Sequence, residues 1–173
     1  MKSIFLILVI LAAACTQQAT TTTTTIDVRE LPLEQSVEKM KEEMKTTPGD
    51  VSEEIVQEDQ GFIGSAVKSG VFENLNYMSS GSASIVEKSG KYFLVLGDDF
   101  STPNGPDLVV YLTKNSGPST REDIVSGIQL EKLKSIKGMQ VYELPEGINI
   151  NDYNSVTIHC RAFNVPWSYV PLK

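Results

Sequence analysis

The chain has 173 residues, of which 40% are hydrophobic and 8% aromatic, and its formal net charge is −7. That length holds about one domain with its own core, and the apolar fraction excludes a chain that is disordered throughout. The acidic balance argues against a surface built to grip nucleic acid.

Residues 1–15, MKSIFLILVILAAAC, run from basic Lys2 through eleven uninterrupted apolar residues, Ile4 to Ala14, into Cys15. As a helix the apolar run measures about 16 Å, half of a ~30 Å hydrocarbon layer, so it reads as the core of a signal peptide and not as a membrane span. The ending Ala12-Ala13-Ala14-Cys15 resembles the lipobox of bacterial lipoproteins, although Leu11 lies one place earlier than the usual leucine. The resemblance implies a signal peptide over 1–14 and lipid on Cys15. The protein is then exported and held on the extracytoplasmic face of the cell membrane or outer membrane. The alternative is a secretory leader cleaved after an A-x-A site, with Cys15 an incidental thiol. If Cys15 carries lipid, the second cysteine, Cys160, has no partner in a compartment that favours disulfides.

Residues 15–60 read as a flexible tether. Thr20 to Thr25 are six consecutive threonines that cannot build a core. In LPLEQSVEKMKEEMK, Leu33, Val37, Met40 and Met44 recur on one narrow stripe at helical spacing. A helix of about twelve residues is marginal alone, so a partly formed, solvated helix is expected here rather than a partner-binding one. Residues 16–60 carry eleven acidic and four basic side chains, whereas 61–173 carry eleven and ten. The low isoelectric point therefore belongs to the tether, which an anionic membrane surface would repel.

From Gly61 onward, short β segments alternate with turn formers. Residues 82–86 and 91–96 predict a hairpin closed at Gly90, where glycine supplies the positive φ. KYFLVLG and DLVVYLTK are apolar on both alternating faces, as strands covered on both sides are. DDFSTPNGP between them reads as a loop, and Ser119 or Thr120 with Glu122 or Asp123 opens a short capped helix. Met139 to Leu144 resumes the strand pattern until Pro145 stops it. Val156, Ile158, Cys160 and Ala162 then share one face of a strand, with Thr157, His159 and Arg161 on the other. The total of about seven to nine strands with no long helix predicts an all-β, antiparallel β-sandwich over residues 61–173.

The succession SGVF (69–72), SGSASI (80–85), FLVLGDDF (93–100), GPDLVVYL (105–112), LEKLK (130–134), GMQVYELP (138–145) and SVTIHCRAF (155–163) resembles the DM-thirteen, or electron-transfer DM, domain family. The resemblance implies an extracytoplasmic β-sandwich related in architecture to haem-binding DOMON-like modules. It also implies redox chemistry at the family's cysteine, acting as a naked thiol or by holding a prosthetic group, and that cysteine falls on Cys160. A histidine that many members carry before the second SG motif is here Tyr77.

Cys160 is therefore the candidate catalytic and cofactor-binding residue, as a redox thiol or a ligand, beside a reading in which it is only an inward-facing small hydrophobe. No C-x-x-C-H is present, so haem, if bound, is not attached in the c-type manner. Cys160 with Met78 or Met139 is the ligand pair left open. His159 reads as a surface or edge residue and supports no zinc site alone. Asp98, Asp99, Asp107 and Asn104 offer oxygen ligands for calcium, but at spacings that fit no calcium loop and in a segment rich in turn formers. The expected function is that of a cell-envelope lipoprotein in extracytoplasmic electron transfer or thiol redox chemistry. Its partners would be the membrane, through lipid, and an envelope or redox protein. The rival is a non-enzymatic binding or adhesion sandwich in which Cys160 is packing.

Overall fold

The computed structural model describes residues 26–173, so the expected signal peptide, Cys15 with its expected lipid, and the threonine run lie outside the described residues. Nine strands are present there: β1 (Ser65–Val71), β2 (Glu73–Asn74), β3 (Ser82–Lys88), β4 (Lys91–Leu96), β5 (Leu108–Thr113), β6 (Ile128–Lys132), β7 (Gln140–Glu143), β8 (Ser155–Cys160) and β9 (Val165–Pro171). They form a four-stranded sheet ordered β1-β3-β4-β7 and a five-stranded sheet ordered β2-β9-β8-β5-β6, with antiparallel pairing throughout. This is the expected antiparallel sandwich. Its β3–β4 hairpin turns through Ser89 and Gly90, both at positive φ (54° and 77°), which suits the twist of the strands it joins.

The core lies between the sheets. Ala83, Ile85, Leu94, Leu96 and Tyr142 meet Leu108, Val110, Leu112, Val156, Ile158, Cys160, Val165 and Trp167 there. The outer faces are covered as well, which explains why β5 and β8 are buried at every position. On the five-stranded sheet the cover is α2 (Arg121–Val125), whose Ile124 packs on Val109 and Tyr111. Thr120 accepts from the backbone N–H of Asp123, whose side chain accepts in return from the N–H of Thr120, so the expected capping box closes.

The N-terminal stretch differs from the solvated helix expected of it. The helix α1 forms over Leu33–Glu43, but Val37 and Met40 are buried in the main core and Leu33 and Met44 pack against it. The narrow stripe suffices because the end of the sandwich supplies the opposite wall, a tertiary feature with no local signature. Two further clasps follow. Asn104 exchanges two hydrogen bonds with the backbone of Val51, and Asp59 accepts from the backbone N–H of Val141 and from Lys134 at 2.9 Å each. Phe62 then packs at a tilt against Phe93 on the outer face of the four-stranded sheet, with ring centroids 5.0 Å apart. Residues 28–62 are thus a strap lying on the sandwich and not a stretch of free tether.

Candidate functional site

Cys160 ends β8, the strand between β5 and β9, where it pairs with Leu108 on one side and Val165 on the other. The inward alternation carries its side chain into the core, where it is fully buried. Its S–H donates to the carbonyl of Pro106 at 3.0 Å. Burial pushes the thiol up to about 12, while the backbone N–H groups of Phe163 and Ala162 pull the other way and the carboxylates of Asp107 and Asp50 add to the rise. At neutral pH the sulfur is therefore a protonated, shielded thiol and a poor nucleophile where it stands.

Two loops roof the sulfur. One is Asn104–Asp107, which presents the Pro106 carbonyl. Gly105 is required there, since a Cβ would fall 2.5 Å from the Trp167 ring. The other is the turn after β8, through Ala162 and Phe163, where Asn164 sits at φ 53°. Trp167 lies on the same inner face of the five-stranded sheet as Cys160, and Tyr77 stacks on it at 3.8 Å with the rings 7° from parallel. The indole N–H donates to Thr102, whose hydroxyl meets that of Ser79 at 2.8 Å, and Ser79 in turn meets Ser168 at 2.7 Å. Every polar atom of this aromatic pair is thereby satisfied; the Tyr77 hydroxyl donates to Met44 of α1 at 3.5 Å. Sequence reading of the PWSY segment indicates a packed strand but gives no sign that Tyr77, ninety residues earlier, completes it.

His159 corrects the expectation of a surface or edge residue. It is buried on the opposite face of β8, edge-on to Tyr111, and its Nε2 lies 3.1 Å from the side-chain oxygen of Asn164. The Asn164 amide donates to the Arg29 carbonyl, so its oxygen faces the imidazole and Nε2 carries the proton. Burial pushes His159 down to about 4, the Asn164 hydrogen bond opposing, and the ring is neutral at pH 7. Arg161, on the same side, pairs with Asp107 at 2.7 Å and holds its carboxyl below the usual range. Neither side chain reaches Cys160 to activate it, as the alternation predicts.

Residues at the sulfur do not fit haem. Cys160 sits in filled core with its S–H engaged, and none of the described grooves has it in its wall. Met139 packs with Val86, Val95 and Val141 on the far face of the four-stranded sheet, and Met78 is three-quarters exposed. Met139 is thus separated from Cys160 by the four-stranded sheet, and Met78 faces solvent while the sulfur is enclosed, so neither is paired with Cys160 in this fold. The loop oxygens are dispersed too. Asp99 accepts from the N–H and hydroxyl of Ser82, Asn104 clasps Val51, and Asp107 faces Arg161 and Lys132.

The fold and this site define an antiparallel β-sandwich with one buried thiol at the end of a central strand. The family model for electron transfer DM13 matches residues 71–172, and the chain belongs to that family. An electron-transfer-related function goes with that membership. No curated protein and no solved structure matches the chain. The matched region begins after α1 and the clasps at Val51 and Asp59, so the whole strap lies outside the family match.

Proposed function

We propose that this chain is an electron-transfer module of the cell envelope, held to the membrane by lipid on Cys15, whose redox group is the thiol of Cys160. The observation that carries the reading is the sulfur's setting: a lone thiol at the end of a central strand, under two short loops, in a domain whose family is described by electron transfer. The domain exchanges electrons through that sulfur when the roof opens. A small hydroperoxide then oxidises it by two electrons: the sulfur forms an S–O bond to the distal oxygen, the O–O bond breaks, and water or an alcohol leaves with the thiol proton. An external thiol displaces the sulfenic oxygen as water, and a second thiol attacks the mixed disulfide and regenerates Cys160. The partner is thus a thiol-bearing reductant of the same compartment, and no haem step is part of the reading.

Complete burial of Cys160 is the specific observation that favours the second reading, a binding sandwich in which the sulfur only packs. The two separate cleanly in a titration of the folded full chain with hydrogen peroxide followed by a small dithiol. Wild type is expected to consume about one equivalent of each per turn, by the stoichiometry of the oxidation ladder, and Cys160→Ala none. Equal consumption by both proteins, with Cys160→Ala folded, leaves the binding module standing.

A further inference from the structure

Each of the two loops that roof Cys160 is itself clamped from outside by the N-terminal strap. Over the Asn104–Asp107 loop lie residues 49–51. Val51 donates its N–H to the Asn104 side chain at 3.2 Å and accepts from its amide at 2.9 Å, and the Asp50 carboxylate accepts from the Asp107 N–H at 2.8 Å. The fit is close enough that a Cβ at Gly49 would fall 2.4 Å from the Gly105 nitrogen. Over the Ala162–Asn164 turn lie residues 28–46. Their contact borders an open groove of about 610 Å³ between Val28, Lys39, Glu43 and Thr46 on one side and Ala162 and Phe163 on the other.

A polar latch joins that half of the strap to the turn. The Arg121 guanidinium donates to the carbonyl of Leu31, to the hydroxyl of Ser36 at 2.7 Å and to the carbonyl of Asn164 at 2.6 Å. Ser36 passes its own proton to the Val28 carbonyl at 2.8 Å, and Asn164 donates to Arg29. Arg121 opens α2, so one side chain from a third element holds strap and roof together. The apolar part of the contact is modest: Val37, Met40 and Val51 are the buried strap residues in the main core, with Val28, Leu33 and Met44 only partly buried against it. A segment fixed by a few apolar anchors and a set of replaceable hydrogen bonds opens at lower free energy than the strands beneath it.

We propose that residues 28–51 form a gate over Cys160, and that release of this strap, with the two strands flanking β8 still paired, is what admits small reagents to the thiol. The inference concerns access alone. It bears on the redox reading above without depending on it, because an alkylating agent reports the gate whether or not the sulfur carries electrons.

The test is the rate at which iodoacetamide labels Cys160 in the folded full chain, followed by mass spectrometry over a series of low urea concentrations. Arg121→Ala removes the latch over the turn, and Asn104→Ala removes the clasp over the loop. Each loses charge-assisted or paired hydrogen bonds, so each is expected to speed labelling about tenfold or more. The wild-type rate should rise with urea much less steeply than global unfolding does, since only the strap's surface is exposed at the opening step. The inference is overturned if wild-type labelling follows urea as steeply as global unfolding. It is equally overturned if the variants that fold label at the wild-type rate. A fast gate with no peroxide consumption would remove the redox reading and leave the gate in place.

Discussion

The strand β8 and the helix α1 both deliver fully buried side chains to the same core, yet they do so by different means. In β8 a two-residue alternation aims Val156, Ile158 and Cys160 inward, and pairing to β5 and β9 on both sides fixes the register. In α1, eleven residues with six charged side chains reach the core through Val37 and Met40, and what holds them is the surface they land on. The strand is specified by its own sequence together with its neighbours. The helix is specified by the end of a sandwich to which strands as remote in the chain as β9 contribute. A part of the chain can thus carry most of the acidic excess and still be an element of the fold.

The largest expected effect tests that claim directly. Met40→Ala removes a wholly buried side chain and should cost about 2–4 kcal/mol of unfolding free energy, the range of a core truncation. Glu42→Ala, two residues on and on the exposed face, should cost close to nothing. Urea denaturation of both variants makes the comparison, and a Met40→Ala cost as small as that of Glu42→Ala would show the strap to be loosely held.

A smaller effect comes from the opposite face of β8. The folded pKa of His159, about 4, lies below the ordinary value of 6.5, so burial of the neutral ring contributes stability that is present above pH 6.5 and lost as pH falls to about 4. Stability should decline by about 2–3 kcal/mol across that window. The stability from the carboxylates Asp107 and Asp123, lowered by Arg161 and by Asn115 with the Thr120 cap, is fully present above their ordinary 3.8 and is lost only below it, outside this window. Chemical denaturation at intervals between pH 7 and 4 measures the slope, which His159→Gln should flatten. An unchanged slope in the variant would assign the acid loss elsewhere.

The smallest effect belongs to α2, which carries Arg121. Thr120→Ala removes its capping hydroxyl and should cost about 1 kcal/mol. Thermal unfolding checks it, and a cost of several kcal/mol would mean that the strap's latch fails along with the cap.

These elements also show what the sequence makes legible. The hairpin at Gly90, the capping box at Thr120 and the inward placement of Cys160 follow from spacings of two to four residues, and all three form as expected. The docking of Met40, the burial of His159 and the stacking of Tyr77 on Trp167 depend on contacts between distant segments. For His159 the period says correctly which face the ring takes, but nothing local says that Asn164, Tyr111 and the strap will cover that face. The roof over Cys160 is hidden for the same reason. Asn104 and Asp107 read as turn formers or calcium ligands, and their partners at Asp50 and Val51 sit in a stretch whose composition suggests a spacer.

The central claim is that Cys160 works as a redox thiol behind that roof. The most direct measurement is differential alkylation of the protein taken from its native source, with free thiols blocked before reduction and newly released ones labelled after it. The account predicts that part of the Cys160 population takes up the second label, having been reversibly oxidised, and that this part grows on brief exposure to hydrogen peroxide. Cys160 found entirely in the first label before and after peroxide, in protein that remains folded, would contradict it.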